Sequence, residues 1–272
     1  MGTVTSGTVT SADGTTIAFT KSGAGPALVL VDGALQYRAF DPGGAQLADL
    51  LSEGFTVYRY DRRGRGESTD TVPYAVSREV EDIGALIGDA GGEAFVYGVS
   101  SGAALAMEAA LELPGKVTKL ALFEPPYNDD EAARRAWRAY TAELRTLLAE
   151  GRRGDAVALF MKLVGAPAEQ VEAMRGTPVW RTFEAVAPTL AYDHPALLGD
   201  EAAVPLGRAA RVGVPTLLLS GGDSFPFMHA TAAALAETIP DARHRVLEGQ
   251  THEVEVGALA PVLTAFFGEE KI

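Results

Sequence analysis

Short apolar runs recur along the chain at 27–31, 55–60, 94–99, 117–123 and 215–220. They are continuous rather than alternating, the texture of strands buried on both faces. Each ends in a loop containing Gly, Asp or Ser. Between several of them lie helical patterns. Val80, Ile83, Leu86, Ile87 and Ala90 recur at three- to four-residue spacing. Residues 101–113 are apolar almost all round, which predicts a buried helix. Strands alternating with helices predict an α/β fold. Its central sheet is mostly parallel, with about eight strands and helices on both faces. At the start, the β-branched residues 8–9 and 15–20 flank Ala12-Asp13-Gly14. Asp-Gly between strands predicts a hairpin, placed as an antiparallel edge.

The alternation stops between 128 and 211. Trp137, Tyr140, Leu144 and Leu147 share one helix face, and Val157, Phe160, Met161 and Val164 another. Pro167, Pro178 and Pro188 punctuate the stretch. A helical insertion is therefore expected at 128–211, dividing a core made of 1–127 and 212–272. The rhythm resumes with a helix near 230–239, a strand near 244–247 and a last helix ending at 266–267.

Composition narrows the chemistry. The 272 residues include no Cys, which excludes disulfides, thiolate metal sites and a cysteine nucleophile. The formal charge is −13, so a nucleic-acid partner is not expected. No apolar run approaches the ~20 residues of a membrane helix, and no membrane association is expected. The first residues lack the charged and apolar regions of a secretory signal; a cytoplasmic location follows as the expectation. Gly2 with Ser6 fits the loose myristoylation pattern, but the following residues read as a strand. His252-Glu253 begins a zinc-protease motif, yet position 256 is Val. Neither a Walker A loop nor a G-x-G-x-x-G turn after a strand occurs. No metal or cofactor is expected, and the partner is a small-molecule substrate.

One motif carries chemistry. Gly98-Val99-Ser100-Ser101-Gly102 follows an apolar strand and opens the buried helix, the context of a G-x-S-x-G nucleophile elbow. So tight a turn forces the serine into a strained conformation, and side chains at 98 and 102 would clash. Ser100 then projects at the carboxyl end of the sheet, where ligands bind in open α/β folds. The Ser101 amide, at the helix N-terminus, can stabilise an oxyanion.

A serine needs a general base. Of four histidines, His252 lies in the loop after the last strand and is the natural one. His229 is the second candidate; His244 reads as a surface residue and His194 as part of a turn. An acid must orient the base. Asp223, just after the 215–220 run, is preferred; Glu124, just after 117–123, would point toward the same sheet edge.

Nearly the whole chain resembles the capped members of the α/β-hydrolase fold superfamily. Besides the elbow, Asp61-Arg62-Arg63-Gly64-Arg65-Gly66-Glu67-Ser68 is similar to that family's D-x-R-G-x-G-x-S loop, a mainly structural segment. The order Ser100, Asp223, His252 matches the family's triad order. The resemblance implies a helical cap at 128–211. It also implies a second oxyanion amide after the third strand, here Ala34. The family often carries His-Gly there; this chain reads Asp32-Gly33. An ionised Asp32 aimed into the hole would oppose an oxyanion, so Asp32 is expected to accept backbone or arginine hydrogen bonds, with Arg38, Arg62 and Arg63 as candidates.

Met161, Trp180 and Phe183 of the insertion, and Phe225 beside Asp223, are candidate pocket residues. Asp32 and Glu124 are further substrate-binding candidates, able to hold a substrate amine. An apolar lining suits a small or medium hydrophobic substrate. The expectation is a serine hydrolase acting on an ester, lactone or thioester through an acyl-enzyme. A lyase, C–C hydrolase or perhydrolase with the same triad, or a non-catalytic ligand-binding member of the fold, are the alternatives.

Overall fold

A computed structural model describes residues 4–269; Gly2, and with it the myristoylation pattern, lies outside them. Eight strands form one sheet: β1 (Thr5–Thr10), β2 (Thr16–Ser22), β3 (Ala27–Val31), β4 (Thr56–Tyr60), β5 (Ala94–Val99), β6 (Val117–Phe123), β7 (Thr216–Gly221) and β8 (Ala242–Leu247). Their order is β1-β2-β4-β3-β5-β6-β7-β8. β2 runs antiparallel to both neighbours and every other pairing is parallel. The hairpin turns where the sequence indicates, at Asp13-Gly14, and Gly14 takes φ +86°. β1 extends beyond the run expected at 8–9, because it pairs with β2 from Thr5↔Lys21 to Thr10↔Thr16.

The continuous apolar runs are explained by two-sided burial. Successive strand residues face opposite sides. Val29, Val31, Val96, Leu120 and Leu122 pack against α2 (Val76–Asp89), α3 (Ser101–Glu112) and α9 (Pro226–Thr238). Leu28, Leu30, Tyr97, Ala121, Phe123, Leu217 and Leu219 pack against α1 (Pro42–Leu51) and α10 (Val256–Gly268). α9 begins four residues before the apolar pattern does, because Pro226 stands in its first turn with φ already set for a helix.

Between β6 and β7 lie α4 (Glu131–Ala149), α5 (Arg153–Leu163), α6 (Ala168–Arg175), α7 (Pro178–Val186) and α8 (Leu206–Ala209). A π-helical stretch, Tyr192–Leu198, precedes α8. Among the described residues this segment contains no strand. It docks on the core through a buried ionic cluster. Arg62, Arg63 and Arg65 of the loop after β4 are almost wholly buried, and each finds anions. Arg62 pairs with Glu79 (2.7 Å) and Asp193 (2.6 Å), Arg65 with Asp193 (2.5 Å), and Arg63 with Asp82 (2.7 Å) and Asp13 (2.9 Å). Buried charges persist when paired in this way. Among the described residues no helix is long and apolar enough to cross a membrane.

Candidate active site

Ser100 sits between β5 and α3 at φ 55°, ψ −126°. That backbone conformation costs on the order of 1–3 kcal/mol and persists because its surroundings fix it. The Ser100 amide donates to the Phe123 carbonyl at 2.9 Å. A Cβ on Gly98 would lie 2.7 Å from Ala103 Cα, and one on Gly102 would lie 2.6 Å from the Asp32 carbonyl. The two glycines are therefore steric requirements of the elbow. A Cβ on Gly33 would meet Ser100 Cβ at 3.3 Å, so the loop after β3 lies directly against the serine.

Glu124 follows β6 immediately, at φ +47°, and its side chain is completely buried. Three donors converge on its carboxylate: Gly221 N–H (2.8 Å), Ser224 Oγ (2.9 Å) and His252 Nδ1 (2.6 Å). Burial pushes this carboxyl up, but the bonds from His252, Gly221 and Ser224 outweigh it and hold the group below its ordinary value. An ionised carboxylate only accepts, so Nδ1 carries the proton and Nε2 is left as the basic ring nitrogen.

This corrects the expectation of an Asp223–His252 pair. Asp223 is exposed, and its backbone amide donates to the Gln250 carbonyl at 2.8 Å. Among the described residues its carboxylate has no hydrogen bond or ion pair. The physical reason is reach: the glutamate at the end of β6 spans to the histidine loop, while the β7 loop turns Asp223 outward. Both Glu124 oxygens are thus engaged within the protein.

Asp32 is a second correction. It is 8% exposed, and Oδ2 has no hydrogen-bond partner among the described residues. The three candidate arginines are occupied elsewhere. Arg62 reaches only the Asp32 backbone carbonyl (3.2 Å), Arg38 pairs with Asp61 and Glu67, and Arg63 with Asp82 and Asp13. Burial, with a contribution from nearby Asp41, pushes the Asp32 carboxyl up to about 7.

The remaining histidines have structural partners. His194 is buried, its Nδ1 2.7 Å from Tyr140 Oη, and burial depresses it to about 4. His229 Nδ1 and His244 Nε2 both lie on Ser220 Oγ, at 3.1 and 2.9 Å. His244 is thus half-buried rather than a free surface residue.

The candidate pocket residues divide. Trp180 is buried on α7 with the Arg175 guanidinium over its ring at 5.3 Å, and so belongs to the core of its own segment. Met161 is half-buried on α5. Phe183 meets Phe40 edge to face at 5.0 Å, linking α7 to the loop that follows β3. Phe225, 48% exposed, stacks on Phe227 at 5.9 Å. Its neighbour Ser224 holds Glu124, which puts the aromatic pair beside the site.

A model of the alpha/beta hydrolase family matches residues 24–261. The chain belongs to this family. It is a hydrolase by that membership, and solved structures agree. An alpha/beta hydrolase from Sphaerobacter thermophilus is 50% identical, with TM-score 0.84, over 96% of this chain and 100% of that one. A 2-hydroxy-6-oxo-6-phenylhexa-2,4-dienoate hydrolase from Rhodococcus is 20% identical, with TM-score 0.69, over 98% and 100%. A thermophilic esterase from Thermogutta terrifontis is 21% identical, with TM-score 0.69, over 97% and 98%. The latter two share the fold with this hydrolase.

Several participants carried little sequence signal. Ser101 Oγ donates to Asp193 at 2.8 Å, and Gln36 Oε1 accepts from Gly33 N–H at 2.7 Å. Asp193 had one usable signal: three arginines in the loop after β4, and acids at 79 and 82 on the apolar face of α2, require a buried ionic network. Among the described residues no cluster of three or more His, Asp or Glu could hold a metal ion.

Proposed function

We propose that the protein is a serine hydrolase that cleaves small or medium apolar esters, lactones or thioesters through an acyl-enzyme. Ser100 attacks the carbonyl carbon and passes its proton to His252 Nε2. Glu124 holds the imidazole in the required tautomer and stabilises the imidazolium. The Ala34 and Ser101 amides stabilise the oxyanion. His252 returns the proton to the leaving alcohol or thiol, then activates the water that releases the acid. Segment 128–211 acts as the cap and supplies Met161 and Phe183 as substrate contacts, with Phe225 of the loop after β7 as a further one. The observation carrying this reading is the 2.6 Å His252–Glu124 bond together with a strained elbow serine whose amide is bonded to Phe123, the residue before Glu124. Strain and a committed Nδ1 have a clear use if Ser100 is the nucleophile.

Asp32 favours a second reading. Its buried Oδ2 has no hydrogen-bond partner among the described residues, and the next residue, Gly33, packs against Ser100; a proton held on such a carboxyl is one that C–C bond hydrolysis or a lyase reaction could use. An esterase and a 2-hydroxy-6-oxo-6-phenylhexa-2,4-dienoate hydrolase are among the structures that share this fold.

The test is fluorophosphonate labelling with mass mapping, beside p-nitrophenyl acetate and butyrate turnover, on wild type and Ser100→Ala. Label on Ser100 and loss of turnover in the variant are expected. Unlabelled, folded wild-type protein would refute the serine mechanism. A labelled serine without ester turnover would favour the second reading.

A further inference from the structure

The two amides assigned to the oxyanion sit on different elements, one opening α3 and one following β3. Asp193 connects them. Its Oδ1 accepts from Ser101 Oγ at 2.8 Å and from Arg62 Nη1 at 2.6 Å, and its Oδ2 accepts from Arg65 Nη2 at 2.5 Å. Arg65 Nη1 in turn donates to the Gly33 carbonyl at 2.6 Å and the Gln36 carbonyl at 3.2 Å. Arg65, Asp193 and Ser101 are all buried.

The Gly33 carbonyl and the Ala34 N–H belong to one peptide unit. In a trans peptide they point in opposite directions. A guanidinium locked on the carbonyl therefore fixes the direction of the Ala34 N–H and polarises it as a donor. In the preceding peptide unit, Gly33 N–H donates to Gln36 Oε1 at 2.7 Å, so the backbone is held on both sides of Gly33. The Ser101 amide is in the first turn of α3, where an N–H has no intrahelical acceptor, and its side chain is tied to the same carboxylate.

We propose that Asp193 is a positioning residue for the oxyanion site. From the helical segment between β6 and β7, it holds the Ser101 amide through the serine hydroxyl and the Ala34 amide through Arg65. The inference rests on the serine-hydrolase reading. It makes docking of that segment a condition for transition-state stabilisation, since removing the carboxylate releases both donors while leaving Ser100, His252 and Glu124 in place. A merely structural ion cluster would affect unfolding and leave the chemical step alone.

The test compares wild type, Asp193→Asn and Ser101→Ala for p-nitrophenyl butyrate turnover and for inhibition by phenylboronic acid, which forms a tetrahedral adduct. For Asp193→Asn, kcat should fall about 10- to 100-fold, with KM within twofold and the phenylboronic acid Ki raised by a similar factor. Ser101→Ala, which removes one bond and keeps the amide, should lose about three- to tenfold in kcat with little change in Tm. If Asp193→Asn does not fold, Ser101→Ala decides by the same criterion. Unchanged kcat and Ki would overturn the proposal even if Tm falls, and so would a rise in KM alone. Wild-type protein that phenylboronic acid fails to inhibit, with turnover surviving Ser100→Ala, would instead remove the serine-hydrolase reading and this inference with it.

Discussion

The loops after β6 and β7 look interchangeable in the sequence and differ sharply in the structure. Both leave the carboxyl ends of adjacent parallel strands, and both carry an acid within two residues of the strand. Glu124 is buried at positive φ and receives three hydrogen bonds. Asp223 is exposed, and its amide rather than its carboxylate is engaged. The end of β7 and the loop after it supply the donors, Gly221 N–H and Ser224 Oγ, that hold the acid from β6. One loop provides the charge and the other its cradle. An acid's position in the chain order therefore says less than whether donors surround it.

The sharpest way to break this contrast is to remove the buried charge. Glu124→Gln should lower kcat by about 10³- to 10⁴-fold, because the amide favours the wrong imidazole tautomer. Ester turnover checks it; a loss of less than tenfold would return the orienting role to another group. Below that in effect stands Gly221→Ala. A Cβ there would collide with the Gln250 carbonyl, pushing the His252 loop away from β7. Overpacking of this kind costs about 1–3 kcal/mol, measurable as a lower urea midpoint, and turnover should fall with it.

The contrast also explains what the sequence could show. The elbow was legible because its constraint is local: Gly98 and Gly102 are required by contacts within one turn and the neighbouring β3 loop. The sheet was legible because two-sided burial leaves unbroken apolar runs. The acid was not, because Glu124 and Asp223 both satisfy strand-end spacing, and the choice depends on donors contributed about a hundred residues away, as in Ser224 to Glu124. Asp193 was hidden for the same reason: Tyr192-Asp193-His194-Pro195 reads as a turn, and its arginines belong to the loop after β4. Trp180 shows the reverse failure, an aromatic at helical spacing that serves its own segment's core.

A third acid, Asp32, buried like Glu124, sharpens the comparison through pH. Glu124 is held below its ordinary 4.5, so its stabilisation is present above that pH and lost as the pH falls through the lower folded value. Asp32, raised from 3.8 to about 7, has the opposite sign. Its contribution is fully present below 3.8 and lost as pH rises toward 7. Asp32→Asn should match wild type near pH 4 and exceed it at pH 8, by as much as roughly 4 kcal/mol. Urea unfolding at the two pH values reads this. A variant less stable at pH 8 would mean that the wild-type carboxylate is paired when ionised.

The smallest effects test the cradle itself. Ser224→Ala removes one of three bonds to Glu124 and leaves the other two, so a three- to tenfold loss in kcat is expected, on the order of 1 kcal/mol. Asp223→Asn should do less, staying within twofold in kcat and within about 0.5 kcal/mol in stability. Its backbone amide still donates to Gln250, and among the described residues the exposed carboxylate makes no bond to lose. The two substitutions are adjacent in sequence, so a general disturbance of the loop would move both alike. A separation between them, with the serine costing more than the acid, is what a loop acting as donor to Glu124 requires. An Asp223→Asn loss as large as that of Glu124→Gln would mean that the exposed acid swings inward during turnover and the two loops exchange roles.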